Sequence, residues 1–169
     1  MKYLKLYEEF SDGNEEYNDE YYSEAEQTLT NLIEGYPMKM SDLDVFYDYF
    51  GGEIPSEYKY DGYLFRYMFF NDEESYKNAL ENGVECRPDY FLRCTTSTDY
   101  HDMMIQQLGE DYEYFILFDV NVDKDKVLFD VNILANHFGF SNNYGYEEEV
   151  IVECVKLEPE WISEHGLIP

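Results

Sequence analysis

The stretch from Gly62 to Phe70, GYLFRYMFF, constrains the fold more than any other part of this sequence. It is almost continuously apolar and aromatic, which reads as a buried strand. One charged residue, Arg66, interrupts it. An arginine does not shed its charge, so burying it without a partner is costly. Two readings stand. Arg66 is a buried guanidinium paired to one of the many carboxylates, or it is an anion clamp whose planar fork takes phosphate or carboxylate bidentately.

Around this strand the pattern is mixed. A short strand is expected at Lys2 to Tyr7. Ser23 and Glu26 have capping-box spacing before a helical stripe of Leu29, Leu32 and Ile33, ended by Gly35. Ser41 is placed to cap a second helix carrying Leu43, Val45, Phe46 and Phe50, which stops at Gly51 and Gly52. Asn71 is placed to cap a helix that runs to Asn82 and ends at Gly83. Tyr90 to Cys94 reads as a strand, Asp99 as the cap of a helix ending at Gly109, and Tyr112 to Val122 as a strong strand. Val127 to Phe129 is a further strand, and Asp130 caps a brief helix to His137. A loop rich in Gly, Asn and aromatics, Phe138 to Tyr146, leads to the last strand, Glu147 to Val155. The tail from Pro159 to His165 reads as a helical turn or two, with Trp161 and Ile162 packing inward. Helices first and then mostly strands indicate an α+β fold. The length of 169 residues suits a single domain over 1–169, with an acidic helical part over 1–60 and a core over 61–169.

Charge narrows the partners. There are 38 acids against 11 bases, a net charge of −27, and no Lys or Arg occurs from Leu6 to Met38. Such a field excludes non-specific binding to nucleic acid or anionic membranes. It favours a basic partner, or one whose surface normally holds nucleic acid; solubility alone is the other reading. At 44% hydrophobic and 19% aromatic, the chain is too apolar for disorder. No stretch approaches the roughly 18 apolar residues that span a bilayer, and no signal peptide is visible. Cys86, Cys94 and Cys154 lack metal-type spacing, as do His101, His137 and His165, so no metal is expected. Reduced thiols point to a cytoplasmic protein.

Two further motifs stand out. Thr95, Thr96, Ser97 and Thr98 follow a strand in RCTTSTD. Capping of the next helix explains some of them, but four hydroxyls exceed what a cap needs. Glu147, Glu148 and Glu149 open the last strand, where Glu147 and Glu149 share one face and Glu148 takes the other. In so acidic a chain, an ordinary exposed strand end is the competing reading.

In order, LFRY, FLRCTTSTD and EEEVIV resemble the Arg–Ser–Glu class of mono-ADP-ribosyltransferases, over about Gly62 to Lys156. That class includes arginine-modifying bacterial toxins, vertebrate ecto-transferases and small transferases of tailed bacteriophages; size and composition look most like a phage-encoded member. The resemblance implies a split β-sandwich with N-terminal helices, and NAD as co-substrate. It implies that Arg66 holds an NAD phosphate, that Thr95 orients the catalytic carboxylate and the nicotinamide ribose, and that Thr96 and Ser97 complete the segment. Glu149 would be that carboxylate, and Glu147 would engage an acceptor guanidinium. Phe140, Tyr144 and Tyr146 would read the target, a host protein, and the host cytoplasm would be the site of action against defence, transcription or translation. Two positions depart from the family: Tyr67 stands where Gly usually follows the Arg, and Thr95 where Ser is usual, so a shifted frame on Ser97 is an alternative. The chemistry is coherent. A carboxylate stabilises the positive charge that builds on the ribose, nicotinamide leaves neutral, and a second carboxylate aligns the nucleophile. The competing reading is a non-catalytic acidic inhibitor or nucleic-acid mimic bound to a basic nucleic-acid-binding protein.

Overall fold

The computed structural model describes residues 15–98, 101, 105, 111–140 and 148–168, with side chains from residue 22 onward. The chain is α+β. Helix α1 (Glu15–Ile33) and helix α2 (Asp42–Phe50) come first, followed by strand β1 (Leu64–Phe70), helix α3 (Glu73–Asn82), β2 (Val84–Glu85) and β3 (Leu92–Thr95). After these come β4 (Tyr114–Val120), β5 (Val127–Asp130), helix α4 (Val131–His137), β6 (Glu149–Val152), β7 (Lys156–Leu157) and β8 (Ile162–Leu167). Six strands form one sheet in the order β5-β6-β3-β1-β4-β8, and β2 pairs with β7 in a separate ribbon. All these pairings are antiparallel.

A sheet with both faces covered needs two apolar layers, and the side chains supply them by alternation. On one face Ile151 and Phe129 pack with Ala25, Leu29 and Leu32 of α1, Phe46 of α2 and Leu134 of α4. The Phe46 and Phe129 rings sit 5.2 Å apart at their centroids. On the other face Leu64, Ile116, Phe118, Val150 and Val152 pack with Ala79 of α3 and Leu157 of β7. Within β1, Leu64 and Tyr67 are buried and the other residues are partly buried. It pairs with β4 along its whole length, from Leu64 opposite Val120 to Phe70 opposite Tyr114.

Local chemistry sets most helix ends. Asp130 caps α4, accepting from the amides of Asn132 at 2.8 Å and Ile133 at 3.0 Å. The end of α1 closes in a Schellman arrangement. Gly35 adopts φ 93°, its amide donates to Leu32 O, and the Tyr36 amide donates to Asn31 O. Three expected caps differ. Ser23 lies inside α1, which begins at Glu15, because the acidic first turns continue the helix. Ser41 makes no side-chain cap; instead the Asp42 carboxylate accepts from the Lys39 amide at 2.8 Å. Asp72, not Asn71, caps α3, and the Ser75 amide at 2.7 Å lowers its pKa. The expected strand at Lys2 to Tyr7 and the Asp99 cap lie outside the described residues. The tail is corrected too. A single 3-10 turn, Pro159–Trp161, precedes edge strand β8, which pairs with β4. Its exposed Ser163, Glu164 and His165 carry no apolar alternation that would announce a strand.

His137, at the end of α4, is bracketed by the hydroxyls of Tyr49 and Tyr58, each 2.8 Å from a ring nitrogen. Burial raises the Tyr49 pKa to about 12 and lowers that of His137.

Two outcomes follow from these contacts. Gly83 has φ 75°, and a Cβ there would meet Leu157 O at 2.2 Å, so Gly83→Ala should cost more than about 1 kcal/mol in a urea melt. Because folding depresses the His137 pKa below its ordinary 6.5, the unfolded chain takes the proton first. The stability this residue contributes is present above that value and declines as pH falls through it. The urea midpoint of wild type should therefore drop more than that of His137→Gln between about pH 7.5 and about pH 5.5.

Candidate functional site

The three motif-bearing segments, far apart in sequence, occupy neighbouring strands at the centre of the sheet: β6, β3 and β1. Register is explicit. Phe65 pairs with Thr95, and Thr95 pairs with Glu149, so these three residues form one row across three strands. Residues paired this way share a face. It is the face that carries α1, because Arg93, two residues before Thr95, reaches back to that helix.

Arg93 is the centre of this face. Its Nε donates to one Glu149 carboxylate oxygen at 2.9 Å, and its Nη2 donates to the other. Nη2 also donates to Leu32 O at 3.1 Å, and Nη1 to Tyr36 O at 3.2 Å. The pair is largely withdrawn from water, with side-chain exposures of 14% for Arg93 and 18% for Glu149, so screening is weak. The last turn of α1 contains no basic residue, and Arg93 supplies a cation to the negative end of that helix dipole from the neighbouring layer.

The hydroxyl segment is locally engaged. The Thr95 hydroxyl donates to Ser97 O at 3.3 Å and accepts from the Ser97 amide at 3.4 Å, folding the chain back at the end of β3. The Thr96 amide donates to Glu148 O at 2.9 Å, and its hydroxyl donates to the Glu148 carboxylate. Glu148, which the spacing left without a role, is thus tied to the hydroxyl segment. It also contributes, after burial, to the raised pKa of Asp130.

Arg66 is placed differently. It alternates with Leu64 and Met68, which pack in the core layer on the opposite face of the sheet, beside Cys94. Its Nη1 donates to Arg93 O at 3.0 Å. Its Nε is the one buried side-chain nitrogen or oxygen among the described residues that has no hydrogen-bond partner. Burial lowers its pKa, and burial also pushes the neighbouring Cys94 thiol up to about 12, so that sulfur is neutral and offers no counter-charge. The expected pairing of Arg66 to a carboxylate is not among the ion pairs of the described residues. The expected meeting of Arg66, Thr95 and Glu149 in one crevice is corrected likewise. Thr95 and Glu149 share a face, while the odd–even alternation of β1 turns Arg66 to the other side.

Phe140 packs, partly buried, against the helical core layer, and its amide donates to Ala135 O at 3.0 Å. It serves as packing in this arrangement rather than as an exposed reader of a target. Glu147, Tyr144 and Tyr146 lie outside the described residues. Two cavities border the described part. One, of about 400 Å³, lies beside Leu32 and Tyr36 and is lined also by Pro37, Lys39 and Tyr90. The other, of about 440 Å³, lies around Cys154, Lys126 and Trp161, and includes neither Arg66 nor Glu149. The three cysteines are free. Among the described residues no group of three or more His, Cys, Asp or Glu is arranged to hold a metal ion, and no helix is long and apolar enough to cross a membrane.

No family model, curated protein or solved structure matches the chain. The site therefore rests on its own geometry.

Sequence reasoning missed Arg93, although it stands inside the quoted RCTTSTD segment. The available signal was spacing: Arg93 and Thr95 share a strand face, and a glutamate paired with Thr95 lies diagonal to Arg93 on that face. Because Arg66 has no ion-pair partner among the described residues, Arg66→Met should leave the unfolding free energy within about 1 kcal/mol of wild type or raise it. A urea melt that instead loses several kcal/mol would mean that the guanidinium is fully compensated.

Proposed function

We propose that this chain is a mono-ADP-ribosyltransferase that moves ADP-ribose from NAD to a host protein, with a protein arginine as acceptor. One observation carries the reading: Thr95 and Glu149, separated widely in sequence, are direct cross-strand partners on one face, beside the strand that bears Arg66. That is the hydroxyl-and-carboxylate pairing the motif order implies, and a six-stranded antiparallel sheet with N-terminal helices is compatible with the proposed split β-sandwich.

The donor would supply an activated sugar whose nicotinamide leaves as a neutral group. The remaining work falls to residues of this chain. The Glu149 carboxylate, fixed by Arg93 in a poorly solvated setting, would hold a ribose hydroxyl and stabilise positive charge, a term that is strongest where water is excluded. The Thr95 hydroxyl, one strand away, would orient that carboxylate and the sugar. Glu147 would align the acceptor guanidinium. Arg66 enters this proposal as an anchor: its bond to Arg93 O steadies the strand that carries Thr95.

Purified protein should transfer labelled ADP-ribose from NAD to host lysate. Glu149→Gln should lower that transfer by on the order of 10²-fold or more, with an unchanged circular-dichroism spectrum. Absence of both transfer and slow NAD hydrolysis in wild type would remove the proposal.

A second reading has its own observation, the net charge of −27. Five of the eleven cations, Lys77, Arg93, Lys124, Lys126 and Lys156, are already engaged by carboxylates of the chain. The remaining surface is therefore strongly acidic, suited to a basic, nucleic-acid-binding partner. A non-catalytic inhibitor would bind such a partner with steep salt dependence and would be indifferent to Glu149→Gln.

A further inference from the structure

We propose that Arg93 is a positioning residue for Glu149, and that it draws this role from the C-terminal end of α1. The inference rests on the transferase reading, and assigns to that site a control the motif resemblance does not contain.

A carboxylate that must meet one sugar hydroxyl has to be held in one orientation, since misplacement by about 1 Å can cost on the order of 10²-fold in rate. Glu149 opens β6, and its side chain has rotational freedom that a strand end does not remove. Arg93 removes it. The Nε and Nη2 groups engage both carboxylate oxygens side-on. A guanidinium so paired still has donors to spare, and here they meet Leu32 O and Tyr36 O. Those acceptors belong to the last turn of α1 and the residue just after its Schellman closure, and Gly35 at φ 93° fixes their direction. The fork therefore bridges two layers of the molecule. While the end of α1 stays docked on β3, the fork holds Glu149 in one orientation.

Lysine does not reproduce this. Its ammonium is a single point with three donors, lacks the planar fork, and cannot serve two carboxylate oxygens and two carbonyls at once. Charge and geometry can thus be separated by substitution.

The test compares wild type, Arg93→Lys and Arg93→Met for NAD hydrolysis and for ADP-ribose transfer, with kcat and KM for NAD measured separately. NAD binding is measured calorimetrically, and folding by circular dichroism and urea melts. Arg93→Lys should keep the fold and the KM for NAD within about three-fold, while kcat falls about ten-fold or more. Arg93→Met should lose about 10²-fold in kcat, so that lysine rescues part of the loss. If Arg93→Lys folds and turns over NAD with wild-type kcat, Arg93 does not position Glu149, and the transferase reading stands without it. An equal rise in KM with kcat unchanged would also overturn the role, because it would make Arg93 a binding residue. If wild type neither hydrolyses NAD nor binds it, the transferase reading fails, and the positioning role falls with it. Should Arg93→Met fail to fold, Arg93→Lys alone decides the question.

Discussion

The guanidinium of Arg93 ties the architecture to the chemistry. It lies between the sheet and the helical layer, and its donors reach a carboxylate on β6 and two carbonyls at the end of α1. Without a basic residue in its own last turn, α1 presents bare negative charge at that end. Glu149 presents a further negative charge a few ångströms away. Two like charges facing each other across a poorly solvated layer would push helix and sheet apart. One cation, Arg93, offsets both where the apolar face of α1 packs on the sheet.

The same scarcity shapes the remainder of the electrostatics. With 38 acids against 11 bases, carboxylates cannot all be matched, and pairs such as Lys77–Glu73 and Lys124–Asp61 are well exposed. Arg66 inverts the situation: in a chain rich in acids, this one arginine lies beside the neutral Cys94 thiol and apolar side chains, and among the described residues it bonds a backbone carbonyl. Hydrophobic burial across two layers, not ion pairing, carries the fold. That burial offsets the cost of placing Arg66 in an apolar layer.

Parity along the strands explains where the site reading and the structure part. Thr95 and Glu149 were singled out through the order of the motifs, and register places them opposite each other because both lie in the central ladder. Arg66 was legible as exceptional for the same reason it is costly, a charge in an apolar run. Its face was not legible, since the side on which an even-numbered residue of β1 emerges depends on how β1 pairs with β3. The Arg93 clamp was invisible for a different reason. Its four acceptors come from two segments more than fifty residues away, as the separations of 56, 57 and 61 positions attest.

Taken alone, the sequence determined the α+β class, the β1 and β4 strands, and the cap of α4 at Asp130. These depend on local composition and on short-range hydrogen bonds, which the chain carries with it wherever it goes. Only the tertiary structure decided that the tail joins the sheet as β8, that β2 and β7 form a ribbon, and that Arg66 and Glu149 emerge on opposite faces. Edge pairing, register and cross-layer clamping are set by which surfaces must be covered at once, and no single segment encodes that competition.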